Sequence, residues 1–233
     1  VDPEYAGQRL DNFLIRHLKG VPKSRIYNLL RKGEIRVNKG RVKADTRLKA
    51  NDIVRIAPIR VAERGAPAVV GSQLKRYLSE NILFEDDGLL IINKPSGLAV
   101  HGGSGISLGA IEAMRIERPE LRFLELVHRL DRETSGCLMF AKKRAVLVEI
   151  QQAMQRNQIQ KNYLTLVKGV WPKGKSTVNA PLRKNQISSG ERIVRVDAEG
   201  KASVTHFKIN RRFKEATLLD VTLETGRTHQ IRV

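Results

Sequence analysis

The chain has 233 residues, 41% of them hydrophobic and 29% charged, enough for one large domain or two smaller ones with a sizeable core. Its 43 Lys and Arg stand against 24 Asp and Glu, a formal charge of +19 with pI near 10.5, which points to a polyanionic partner. No apolar run approaches the roughly 20 residues of a membrane span, the start Val1-Asp2-Pro3-Glu4-Tyr5 has no secretory character, and one cysteine, Cys137, excludes an intrachain disulfide or a zinc ribbon. The cytoplasm is the expected location, and the lack of an initiating Met implies residues before Val1.

The first 60 residues hold fifteen Lys/Arg and six Asp/Glu, a surplus of nine, while the other 173 carry the remaining ten. That asymmetry marks residues 1–60 as a separate basic module. Leu10, Phe13, Leu14 and Leu18 recur at helical spacing, giving a helix that breaks at Gly20 and Pro22. Ser24 is the N-cap expected for a second helix over Arg25–Lys32, with Ile26, Leu29 and Leu30 inward and Gly33 as its stop. Ile35-Arg36-Val37 and Arg41-Val42 alternate around Asn38-Lys39-Gly40, a tight hairpin, and Ile53–Ile56 forms a further strand. Arg25, Arg31, Lys32, Arg36, Lys39 and Arg41 gather near the hairpin. Such a density of cations on a helix–helix–hairpin frame favours nucleic-acid binding over a merely solvated face.

Residues 61–81, with Gly65, Ala66, Pro67, Ala68 and Gly71, read as a linker ending in a short helix near Leu74–Leu78. A second domain covers 82–233. Strands at Ile82–Glu85 and Leu89–Ile92 flank Asp86-Asp87-Gly88, and Asn93-Lys94-Pro95-Ser96-Gly97 is a turn. Further strands are expected at Cys137–Ala141, Tyr163–Val170, Ser203–Ile209, Ala216–Leu219 and Val221–Leu223, and helices at Leu108–Arg115 and Lys143–Arg156. Strands in adjacent pairs predict an α+β domain on a mixed, mainly antiparallel sheet. Gly102-Gly103-Ser104-Gly105 lacks the ending of a phosphate loop and reads as a flexible turn. The five histidines are scattered without metal-ligand spacing, so no metal is expected. Cys137 enters the apolar run Leu138-Met139-Phe140 and reads as a buried core cysteine, not a nucleophile partnered by His128.

The most informative stretch is His128-Arg129-Leu130-Asp131-Arg132-Glu133-Thr134-Ser135-Gly136. One aspartate stands between two arginines, as an enzyme acting on nucleic acid would need: cations for phosphates, and a carboxylate whose charged form nearby positive charge favours. On charge pattern alone, a merely ion-paired turn stays open. Tyr163 opens a strand and serves either as a half-buried packing residue or as a ring that stacks on an unstacked base. Gly226-Arg227-Thr228-His229-Gln230-Ile231-Arg232 closes the chain, with Arg232 suited to bury its guanidinium against a carboxylate or to hold a phosphate.

Taken together, His128–Gly136, Lys161–Gly169 and Gly226–Arg232 resemble the RluA-type family of pseudouridine synthases, most of all its RluC-like members that modify large-subunit ribosomal RNA. Asn93–Gly97 and His101–Gly105 extend the likeness. Arg9–Leu14 and Ile35–Val42 resemble the small RNA-binding domain named after a small-subunit ribosomal protein. The resemblance implies a pseudouridine synthase domain preceded by that module. It makes Asp131 the nucleophile on uridine, at the ribose or at the base. Arg129 would enter the RNA as the uridine flips out, Tyr163 would stack on the base and assist proton transfer, and Arg232 would be the counter-ion of Asp131, with Ile231 and Leu130 packing the site. It further implies ribosomal RNA as partner and no cofactor or metal; no membrane association and a monomeric state are also expected. Family members continue beyond the point where this chain stops, inside what reads as a strand, so the catalytic domain is expected to be truncated. The competing classes are a non-catalytic RNA-binding or ribosome-assembly protein, and an RNA methyltransferase, which would need a cofactor loop.

Overall fold

Residues 1–18, 20–59, 70–102, 108–186 and 192–233 are described by a computed structural model, in which Val1–Val148 and Glu149–Val233 form two units. In the first, helices α1 (Leu10–His17) and α2 (Lys23–Lys32) precede a three-stranded antiparallel sheet of β1 (Ile35–Val37), β2 (Gly40–Arg41) and β3 (Val54–Ile56), in the order β2-β1-β3. Leu10, Phe13, Leu14, Ile26, Leu29, Leu30, Ile35, Val37 and Leu48 form one buried cluster between them. The expected Ser24 cap is not the start of α2. Pro22 takes that position with φ −56° and ψ 141°, and no side chain caps the helix; proline's fixed φ suits the entry to a helix. Gly33 ends α2 as expected, in the left-handed region at φ 73°, its N–H shared by the carbonyls of Leu29 and Leu30.

The hairpin turn is the pair Asn38-Lys39, both at positive φ, between Val37 and its partner Gly40, a two-residue geometry matched to strand twist. Asn38 earns its place there: its Nδ2 donates to Asp52 Oδ1 at 2.8 Å and its Oδ1 accepts the Ile53 N–H at 2.9 Å. Arg16 pairs with Glu125, and Arg144 Nε donates to the Ala6 carbonyl at 2.9 Å, tying this front module to the rest of its unit.

Helix α3 (Ser72–Glu80) leads into β4 (Ile82–Glu85), β5 (Leu89–Lys94), α4 (Ala110–Glu117), β6 (Glu125–Leu126) and β7 (Gly136–Ala141), with an antiparallel sheet ordered β4-β5-β7-β6. Strict alternation turns Leu90, Ile92 and Lys94 of β5 inward, and Leu138 and Phe140 of β7. The same alternation overturns the expectation for Cys137, which is exposed: it sits one residue out of phase with Leu138 and Phe140.

Helix α5 (Arg144–Gln155) is followed in the second unit by β8 (Lys161–Lys168), β9 (Thr177–Asn179), β10 (Leu182–Gln186), β11 (Arg192–Val196), β12 (Val204–Arg212) and β13 (Ala216–Leu223). Four of these make an antiparallel sheet ordered β8-β13-β12-β9, and β10–β11 is a separate hairpin. The two strands expected over 216–223 are one continuous strand, β13. Residues 228–232 form turns, not the strand expected at the chain's end. Among the described residues no helix is long and apolar enough to cross a membrane. Gly65–Ala68 of the expected linker and Gly103–Gly105 of the expected flexible turn lie outside the described residues.

Candidate active site

Asp131 lies in the connection from β6 to β7, half-buried, with buried Leu130 before it and exposed Arg129 and Arg132 on either side. The ladder between these strands runs through Leu126↔Phe140 and a Val127 N–H to Met139 carbonyl bond of 3.0 Å. At the next step a side chain replaces the backbone: the Met139 N–H donates to His128 Nε2 at 3.2 Å. That acceptor role fixes the neutral ring with its proton on Nδ1. Burial pulls the His128 pKa below the usual histidine value, opposed by a hydrogen bond to the Arg129 backbone. The imidazole thus lets the chain leave the sheet at Arg129 without stranding a β7 donor.

A second set of bonds holds the loop from the other side. Lys94 is fully buried, and its Nζ donates to the carbonyls of Pro95 (2.9 Å), Leu98 (2.8 Å) and Arg132 (2.9 Å). Burial pulls its pKa below the usual lysine range, and the carboxylates of Glu133 and Asp131 oppose that shift. Gly97 N–H donates to the Arg132 carbonyl at 2.9 Å, Arg132 Nε donates to the Gly97 carbonyl at 3.0 Å, and Ser96 Oγ donates to the Glu133 carbonyl at 2.9 Å. A turn from Thr134 N–H to the Asp131 carbonyl, 3.1 Å, closes the loop. Gly136 then starts β7 at φ 114°, a conformation that L side chains rarely adopt. Arg132, expected to hold either phosphate or structure, is engaged with Gly97 and Glu133.

The second unit carries the other two motifs. Tyr163 on β8 pairs with Val221 of β13 and, like Ile231, packs half-buried against Leu219, Val221 and Leu223. Arg232 is exposed in the closing turns, where its N–H donates to the His229 carbonyl at 2.9 Å. Gln230 holds the segment in place. Its Nε2 donates to the Val204 carbonyl (3.1 Å) and Thr205 Oγ1 (2.9 Å), and its Oε1 accepts from Thr225 Oγ1 (2.9 Å) and the Arg227 N–H (2.8 Å). All four positions of the buried amide are used.

The structure therefore sets the Asp131 loop against Lys94 and His128, and seats Tyr163 and Ile231 on one cluster. Neither Lys94 nor Gln230 stands out in the sequence as a site residue. The one signal for Lys94 was its phase with Leu90 and Ile92, which puts a lysine on a buried face. In the front module Arg25, Arg31, Lys32, Lys39 and Arg41 are exposed. Arg36 is half-buried, its Nε on the Gly33 carbonyl at 3.2 Å, so it shapes the hairpin as much as it presents charge.

A carboxylate on a loop clamped from both sides, in a basic chain with a basic front module, is compatible with nucleophilic chemistry on nucleic acid. Residues 88–233 match the family described as RNA pseudouridylate synthase, and residues 8–54 match the S4 domain. The chain belongs to the RNA pseudouridylate synthase family. Its relatives include proteins named ribosomal large subunit pseudouridine synthase C from Pasteurella multocida, 56% identical over all of this chain and 72% of that protein, and from Escherichia coli K12, 56% identical over all of this chain and 73% of that protein. Among solved structures, human RNA pseudouridylate synthase domain containing 4 is similar with a TM-score of 0.57 and 27% identity, over 69% of this chain and 65% of that one. Human RNA pseudouridylate synthase domain containing 1, at 22% identity and a TM-score of 0.57 over 71% of this chain and 66% of that one, shares the fold.

Proposed function

We propose that this protein isomerises uridines of large-subunit ribosomal RNA to pseudouridine, in the cytoplasm and as a monomer, with residues 1–60 as the RNA-binding module and 82–233 as the catalytic domain. The observation that carries this reading is the Asp131 loop, held by Lys94, the 95–98 turn and His128, in a chain 56% identical to proteins named for that reaction on that RNA.

The reaction moves one bond within a nucleotide. The glycosidic bond from ribose C1′ to uracil N1 breaks, the uracil turns, and C1′ bonds to C5; the C5 proton leaves and N1 gains one. Asp131 supplies the nucleophile, at ribose or base. A target inside a stacked helix is out of reach until it is flipped, and exposed Arg129, two residues ahead of Asp131, takes the vacated place. Tyr163 stacks on the flipped base and assists proton removal, Ile231 and Leu130 wall the site, and Arg232 is the counter-ion. The exposed cations of the front module, Arg25, Arg31, Lys32, Lys39 and Arg41, with Arg36 shaping the hairpin beside them, hold RNA phosphates.

The substrate is tested by mapping pseudouridines in large-subunit ribosomal RNA from cells with and without the gene, and after adding the purified protein to the deficient RNA. Discrete sites lost and restored support the reading. An unchanged map in both arms refutes it.

A further inference from the structure

We propose that Arg9 and Tyr27 form a preset stacking site for an unpaired RNA base on the front module, an inference that rests on the RNA-directed function above. Both side chains are anchored on one carboxylate. Asp11, at the start of α1, is 3% exposed, and its Oδ2 accepts from Arg9 Nη2 at 2.7 Å and from Tyr27 OH at 3.1 Å. Its Oδ1 accepts from Arg9 Nε at 3.2 Å and from the Asn12 N–H at 2.8 Å. A carboxylate is costly to bury unless its acceptor sites are filled, and here two of its partners are surface groups.

Those two groups sit side by side because they share one oxygen. The Arg9 side chain is nevertheless 45% exposed and Tyr27 is 45% exposed, so neither is a core residue that happens to be polar. A guanidinium plane and a phenol ring are the surfaces on which splayed-out bases stack. A free arginine and tyrosine would lose side-chain freedom on doing so; these have lost it already to Asp11, which is how a site gains affinity by preorganisation.

The surroundings select the ligand. Lys23, Tyr27 and Arg31 lie four residues apart along α2 and so share one helix face, all three exposed. Asn28 Oδ1 steadies Arg31, accepting from its Nη2 at 3.2 Å. An aromatic ring with a cation on either side along the helix suits a looped-out base with its two flanking phosphates. A continuous duplex offers the phosphates but keeps its bases stacked, so it uses the cations alone.

The test compares a hairpin RNA carrying an unpaired loop with a continuous duplex of equal length, both binding the full chain at one fixed salt concentration. Tyr27→Leu is expected to weaken loop binding about tenfold, the size of one lost base–aromatic stack, while duplex binding stays within about twofold. Tyr27→Phe, which keeps the ring and drops the tether to Asp11, is expected to fall between wild type and Tyr27→Leu. A 2-aminopurine placed in the loop should be quenched on binding the wild-type protein and less so on binding Tyr27→Leu, which separates this site from Tyr163. Equal losses on both RNAs, no loss on the loop, or an unquenched probe overturns the stacking site alone. Wild-type protein that binds neither RNA overturns the RNA-directed function together with it.

Discussion

Replacing Lys94 with Met keeps the length and apolar bulk of the side chain while deleting an ammonium that donates to the carbonyls of Pro95, Leu98 and Arg132. Hydrogen bonds from a charged donor contribute roughly 1.5–3 kcal/mol each, so three lost together would cost about 4–9 kcal/mol before any return. The return is the desolvation that burial imposes on the ammonium, which is what draws its pKa down, commonly several kcal/mol for a buried ion. The difference leaves a net loss of about 2–4 kcal/mol, felt in the 95–98 turn and in its junction with the Asp131 loop at the Arg132 carbonyl. Thermal unfolding and amide hydrogen exchange read it directly: a midpoint lower by several degrees, with faster exchange at Gly97 and Thr134, whose N–H groups bond Arg132 and Asp131. A Lys94→Met protein as stable as wild type, with both amides equally protected, would refute the idea that a buried cation braces this loop.

His128→Leu removes the acceptor of the Met139 N–H and should lower kcat about tenfold with little change in KM, the size of one hydrogen bond lost from a positioning contact. His128→Gln, which restores an acceptor at the same reach, should recover most of the rate, and equal rates for the two variants would sink that role. The Asp11 carboxyl is held below its usual range, first by the Arg9 hydrogen bond and against the pull of burial. Its stabilisation should thus be complete above the unfolded value near pH 4 and disappear as pH falls through the lower folded value. Acid titration of amide signals from residues 8–54 would show this limb in wild type and lack it in Asp11→Asn.

Much of this arrangement was legible in the sequence wherever one pattern outweighed its rivals. The apolar phase of Ile26, Leu29 and Leu30 with Gly33 as a stop marks α2, and Asn38-Lys39-Gly40 marks the hairpin, whose turn the fold narrows to Asn38-Lys39. The start of α2 differs from the sequence expectation because Ser24 is a good cap by residue type, whereas Pro22 already sets the backbone one residue ahead of the helix. The hairpin β10–β11 was missed because Arg183, Lys184, Asn185 and Gln186 carry no apolar alternation. The exposure of Cys137 is hidden in the sequence for a related reason: a continuous apolar run does not show which residues face inward, and only pairing with β5 settles the phase.

The site divides along the same line. Asp131, Tyr163 and Arg232 stand in motifs that sequence alone can single out. Their supports do not, because bracing depends on chain crossings: Lys94 reaches Arg132 across 38 positions, and Gln230 reaches Thr205 across 25. A lysine in a turn-like segment and a glutamine between two cations look like solvated residues until the fold closes over them.

Release of tritium from RNA labelled at uracil C5 reports whether Asp131 is the nucleophile of a uridine isomerase. Wild-type protein should release the label with no cofactor added. Asp131→Asn should fold and bind the same RNA with affinity close to wild type while releasing tritium on the order of 10³-fold more slowly or not at all. Turnover by Asp131→Asn near the wild-type rate would rule out Asp131 as the nucleophile.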